Sequence, residues 1–181
     1  EKGEAEIHHG PLNEIVAVRG QQRLTVLVPG QDVLLTCPDL PARSKLALQA
    51  IPFALEEQLA GELDESHFAH CRHPDGPGLD VAVVARARMD HWQALLAEAG
   101  LEADIMIPEQ LALPLTEEGL SVLADDGLVL VRSGLAQGFA VDEENLEFLL
   151  LSDDELSELP LRLYMCAPEG LDHESLRSRA L

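Results

Sequence analysis

Aromatic residues are nearly missing: four Phe, one Trp and one Tyr make up 3% of 181 residues. Hydrophobic residues still reach 46%, so a packed core has to be assembled from Leu, Val, Ile and Ala. Positive charge is equally scarce, with 12 Lys and Arg against 33 Asp and Glu and a formal net charge of −21. Nucleic acid is bound largely by neutralising phosphates with Lys and Arg, so this surface repels DNA and RNA. It repels an anionic membrane surface for the same reason. A basic protein partner suits it, although acidity alone also keeps a protein soluble. The three cysteines, Cys37, Cys71 and Cys166, are widely spaced and form no CxxC pair. That pattern argues against a disulfide framework and for reduced thiols in the cytosol. No apolar run approaches the roughly 18 residues of a membrane span, and no signal-peptide pattern opens the chain. The chain starts at Glu1 rather than Met and stops at Arg179-Ala180-Leu181, as a fragment of a longer protein would.

What is present reads as an α/β pattern. Residues 1–14, with His8-His9 and a Gly-Pro, read as a flexible leader without an assigned role. Three short β-rich runs follow, at 15–19, 24–28 and 33–37, parted by Gly20, Pro29-Gly30 and Pro38. A helix is expected over 44–60, with Leu48, Ile51, Leu55 and Leu59 near helical spacing and Gly61 as its stop. Pro52 lies inside that stretch and predicts a kink or a boundary between two helices. Strands at 67–71 and 80–85, joined as a hairpin, precede an amphipathic helix at 89–99 and a strand at 103–107. Residues 108–119 read as a hinge. Strands at 122–124, 129–132 and 138–141, a helix at 142–151, a strand at 161–167 and a helix at 172–179 complete the chain. The order of elements starts twice, which predicts two ribonuclease-H-like halves, residues 15–114 and a smaller 115–181. That is the actin-like ATPase architecture, with mixed sheets flanked by helices.

Such an architecture makes chemical demands. Ribonuclease-H-like nucleases need a metal-binding carboxylate on the first strand, and residues 15–19 carry none. Actin-like ATPases cradle phosphates in Gly-containing turns preceded by Asp, whereas the matching turns here read Arg19-Gly20 and Arg132-Ser133-Gly134. A cationic side chain cannot coordinate Mg²⁺, and no GxxxxGK[ST] loop occurs. The nucleotide site therefore reads as degenerate, and no catalytic, cofactor or metal residue is assigned. Strand alternation would place His67, Cys71 and His73 on one face, and zinc accepts all three. Their spacing matches no established zinc signature, and a strand edge running into a loop accounts for them equally well. Cys37 and Cys166 alternate with apolar neighbours and read as buried core residues. Pairs such as Glu56-Glu57 and Asp153-Asp154 are ordinary among 33 acids and mark solvated faces.

Three stretches together resemble one family. They are Leu40-Pro41-Ala42-Arg43-Ser44 with the proline-broken helix from Ile51 to Ala60; Val81 to Arg86 with Met89, Trp92 and Leu96, leading to Ile107-Pro108-Glu109-Gln110-Leu111-Ala112-Leu113-Pro114; and Gly127 to Gly134 running on to Gly138-Phe139-Ala140. The combination resembles the cytoplasmic region of type II secretion system protein L, over residues 24–150 and beyond. The resemblance implies an actin-like fold without ATPase activity, acting as a platform at the cytoplasmic face of the bacterial inner membrane. It implies docking of the secretion ATPase, protein E, contact with protein M and other inner-membrane components, and no cofactor; a homodimer stays open. Family members continue into a transmembrane helix and a periplasmic domain, which this chain does not contain. The alternative is an actin-like nucleotide-binding protein.

Acidic residues concentrate in two places: Glu56, Glu57, Glu62, Asp64 and Glu65, and the denser set Asp142, Glu143, Glu144, Glu147, Asp153, Asp154 and Glu155. The second set is the expected protein-docking surface. Because Arg19 and Arg132 stand where acids would organise Mg²⁺ and phosphate, calorimetry with ATP and Mg²⁺ is expected to show no site tighter than about millimolar. A micromolar, Mg²⁺-dependent isotherm would favour the nucleotide-binding alternative.

Overall fold

A computed structural model describes residues 7–20, 22–40, 45–59, 61–73, 76–152 and 154–165. The chain enters through helix α1 (Leu12–Arg19), where the sequence suggests the end of a leader and a strand. β-branched Ile15, Val16 and Val18 favour a strand by propensity alone. Pro11 at the N-cap, Glu14 in the first turn and Arg19 in the last all favour a helix, and Gly20, at φ 57°, ends it. An eight-residue helix is marginal alone, and Arg19 ties this one down. Its guanidinium donates to the Glu102 carbonyl at 3.1 Å and to the Asp104 carboxylate at 3.0 Å. Arg19-Gly20 is thus the end of a helix, not a turn after a first strand.

Strands β1 (Thr25–Val28) and β2 (Val33–Thr36) follow, joined through the 3-10 turn Gly30–Asp32. Helix α2 (Lys45–Leu55) continues through Pro52 and passes into the 3-10 turn Glu56–Gln58. The hydrogen bond that Pro52 cannot donate would have gone to Leu48, an exposed residue where water can serve instead. The proline is therefore tolerated inside the helix, which ends one turn later. Ile51 and Leu55 turn inward onto Leu79, Val81 and Val83. Strands β3 (Ser66–Arg72) and β4 (Leu79–Ala85) form the expected hairpin, and β2 pairs with the other edge of β4 to give the antiparallel order β2-β4-β3. Helix α3 (Arg86–Glu98) leads to β5 (Ile105–Pro108), which pairs in parallel with β1 as a separate two-stranded sheet.

The sheet of the later strands is more regular. β6 (Leu120–Asp125) and β7 (Leu128–Arg132) are joined by Asp126-Gly127, both at positive φ. Two left-handed residues match the twist of a tight hairpin, and glycine adopts that conformation at little cost. β8 (Gly138–Asp142), α4 (Glu143–Ser152), α5 (Asp154–Glu158) and β9 (Leu161–Met165) complete it. The order is β8-β7-β6-β9, antiparallel except for the parallel pair β6–β9. This meander with a helical crossover to its first strand is the ribonuclease-H-like order. Leu146 and Leu150 of α4 close over Leu120, Val122, Val129, Val131 and Leu161. The fold is mixed α/β, with mixed sheets flanked by helices. The early residues break the expected repetition, since α1 replaces the first strand. The helix expected at 172–179 lies outside the described residues.

The four-stranded sheet meets the earlier strands through the segment after β5. Gln110 of the 3-10 turn Glu109–Ala112 is fully buried between Gly30 and Gly138, and Glu109 accepts the Gly30 N–H at 2.9 Å. From the four-stranded sheet, Arg132 donates to the carbonyls of Leu111 and Leu113 at 2.7 and 2.6 Å, and to those of Gly134 and Leu135 at 3.0 Å. Ser121 adds a hydrogen bond to the Pro114 carbonyl at 2.6 Å. Arg132→Met, which keeps the aliphatic stem but abandons these carbonyls, is expected to cost about 3 kcal/mol in urea denaturation. Gly30→Ala is expected to cost about 1–3 kcal/mol, because a Cβ there would press on the Gln110 side chain and stand 2.9 Å from the Ala140 Cβ.

Candidate functional site

A cleft of about 780 Å³ opens between the β2-β4-β3 sheet and the four-stranded sheet. Asp32, Glu62 and Glu65 line it, with Ser133 and Gln137 on the far side, and among the described residues no Lys or Arg lines it. Three acids, one of them paired with Arg88 at 3.3 Å, make a poor cradle for a polyphosphate. Arg132, the cation at the second of the two expected turns, is committed to four main-chain carbonyls. Partial burial draws its guanidinium below the ordinary arginine range. Its work is structural.

The acids expected to form a docking surface are carried mainly by one strand end and the helix after it. Asp142 ends β8 and accepts a hydrogen bond from Gln31 Nε2 at 3.2 Å, so it bridges to the 3-10 turn after β1. Glu143, Glu144 and Glu147 lie on the first two turns of α4. The Glu143 N–H is fixed to the Gly127 carbonyl at 2.8 Å, which sets the helix direction. Two acids in the first turn also suit the positive end of the helix dipole. Glu144 is exposed, while Glu143 and Glu147 are half-buried. Asp154 and Glu155 open α5, and Asp153 lies outside the described residues.

The acid pattern did not reveal the apolar residues on the same helix. Phe148 is 73% exposed and Leu151 is 65% exposed. With Glu144 they follow the i, i+4, i+7 spacing of one helix face, opposite buried Leu146 and Leu150. That signal was legible as a second apolar stripe on an already amphipathic helix. The first acid cluster has a partner of its own in Phe53, 71% exposed on α2, close in sequence to exposed Glu56 and Glu57.

The His67, Cys71 and His73 set does not assemble as alternation suggested. His67 faces Val84 across the hairpin, while Cys71 is exposed opposite Asp80. His73, just beyond β3, places Nδ1 2.9 Å from an Asp80 oxygen. The third member near them is Cys37, which is exposed rather than buried in the core. It follows the end of β2, where the alternation that suggested burial no longer holds. The thiols of Cys37 and Cys71 are both pushed up, first by partial burial and then by the Asp80 carboxylate, with Asp39 adding to the effect at Cys37. Cys166 lies outside the described residues.

Among the described residues, no helix is long and apolar enough to cross a membrane. Comparison with known proteins gives a consistent picture. A family model for type II secretion system protein L matches residues 2–179. The protein L of Klebsiella pneumoniae is 37% identical over 145 residues, which cover 80% of this chain and 36% of that protein. That of Vibrio cholerae is 31% identical over 166 residues, covering 87% and 40%. This chain thus spans about two-fifths or less of these relatives' length. In three dimensions it is similar to the cytoplasmic domain of EpsL, an inner-membrane component of the Vibrio cholerae type II secretion system. The TM-score is 0.74 at 29% identity, over 87% of this chain and 68% of that one. A family match along nearly the whole chain, joined to a shared fold, makes this protein a member of the type II secretion system protein L family, a component of that secretion machinery.

Proposed function

We propose that this chain is a non-catalytic adaptor that docks the secretion ATPase, protein E, at the cytoplasmic face of the inner membrane. Protein M and other inner-membrane components are its further partners. The observation that carries this reading is the outward face of α4. There Phe148 and Leu151 stand in water beside Asp142, Glu143, Glu144 and Glu147. Large exposed apolar side chains mark interaction surfaces when they gather on one face. An aromatic anchor framed by charge of one sign divides the labour of recognition. The apolar pair supplies affinity, and the acids steer a basic partner and reject acidic ones. A non-catalytic role agrees with a cleft whose charges oppose phosphate and with an arginine committed to carbonyls.

The test is association kinetics with purified secretion ATPase. Phe148→Ser with Leu151→Ser is expected to weaken binding about tenfold or more, chiefly by faster dissociation. Glu144→Lys is expected to slow association and flatten its salt dependence. Unfolding midpoints should stay nearly unchanged, because all three side chains are already exposed. Phe53→Ser with Glu57→Lys, on the other acidic surface, should leave binding as in the parent chain. If only that second pair weakens binding, the ATPase docks on α2 instead. If neither does, the adaptor reading fails.

A further inference from the structure

Cross-strand register, rather than spacing along the chain, gathers a set of metal donors at one end of the first sheet. Asp80 lies on the central strand β4, opposite Cys71 of β3 and one step beyond the Thr36–Val81 pair of β2. Cys37 follows Thr36, so its thiol comes beside the same carboxylate. The His73 N–H donates to the Gly78 carbonyl at 3.0 Å, which closes the hairpin turn and brings the imidazole in from the other side. The result is a thiol sulfur, a ring nitrogen and a carboxylate oxygen, from Cys37, His73 and Asp80, all within 4.8 Å of one another.

Asp80 is only 4% exposed. A carboxylate so deeply buried requires donors or a cation nearby. His73 Nδ1 meets its two oxygens at 2.9 and 3.1 Å, and among the described residues no Lys or Arg is ion-paired to it. A cavity of about 490 Å³ lies against Cys37 and His73, lined also by Pro38, Gly76 and Gly78, with Asp80 behind them. A Cβ on Gly78 would stand 3.3 Å from the Cys37 sulfur, so glycine keeps that side of the thiol open.

We propose that Cys37, His73 and Asp80 form a zinc-binding site whose fourth position faces this cavity. Thiolate, imidazole and carboxylate are the donors zinc takes, with tetrahedral bonds of about 2.0–2.3 Å. Such bonds set neighbouring ligand atoms roughly 3.3–3.7 Å apart. The trio brackets that distance, with 2.9 Å between His73 and Asp80 and no separation above 4.8 Å. Small side-chain rotations therefore convert one arrangement into the other. The thiolate selects against Mg²⁺ and Ca²⁺, which prefer oxygen alone. A bound ion would fasten the end of β2 to the β3–β4 turn.

Titration of the metal-free chain with Co²⁺, a spectroscopic substitute for zinc, tests this directly. One equivalent is expected to produce thiolate-to-cobalt charge-transfer absorption that Zn²⁺ then displaces. Cys37→Ser, at an exposed position, should abolish that band. His73→Ala should weaken Co²⁺ binding about tenfold or more. His70→Ala, an exposed histidine of β3 outside the trio, should change neither. Zinc should raise the unfolding midpoint of the parent chain but not that of Cys37→Ser. Absence of the band, or a band that survives Cys37→Ser, would overturn the site. Metal held by scattered histidines and carboxylates gives the first outcome, and metal held by another cysteine gives the second.

Discussion

The Arg132 guanidinium fixes how the four-stranded sheet lies against the segment after β5. It stands at the end of β7 and spends its donors on main-chain carbonyls from both its own loop and the segment after β5. A guanidinium has five N–H groups in a rigid fork and cannot be deprotonated in a protein, so this arrangement holds at any ordinary pH. Around it, Glu109 takes the Gly30 N–H, and Gln110 fills the gap between Gly30, Gly138 and Ala140. The amide nitrogen and oxygen of Gln110 are both buried without a hydrogen-bond partner among the described residues. An unpaired buried amide costs about 1–3 kcal/mol. That cost is borne where the packing is tightest, and the charge-assisted bonds of Arg132 offset it.

The same junction separates what the sequence made legible from what it did not. Residues 107–114 stood out as part of a family resemblance and as a hinge, and their role as the clasp between sheets follows from contacts no periodicity reveals. The hairpins at 66–85 and 120–132 were legible because alternation and turn residues act locally. Helix α3 was legible for the same reason. Residues 15–19 misled because their β-branched side chains speak for a strand, while the deciding contact, Arg19 with Asp104, spans 85 positions. Pro52 was located correctly but does not break its helix, since the bond it forgoes lies on an exposed stretch.

The candidate sites divide in a similar way. A run of acids is visible in any sequence, so the Asp142 to Glu147 surface could be named in advance. The exposure of Phe148 and Leu151 depends on which stripe of α4 turns toward Leu120 and Val131. His73 was singled out with His67 and Cys71, its neighbours along the chain. Its neighbours in space are Cys37, 36 positions earlier, and Asp80. Only the register of three strands relates them, and register is settled by the sheet as a whole.

One pairing in the first half bears on how the protein is made. β1 and β5 lie side by side, with Thr25 opposite Ile105, and every other strand of that half lies between them in the chain. During synthesis β1 therefore waits without its partner until some 80 further residues have left the ribosome, at a pace of about 5–20 residues per second. The β2-β4-β3 sheet can close earlier, because its members are complete by Ala85. The nascent chain thus spends several seconds with β1 unpaired and β-rich.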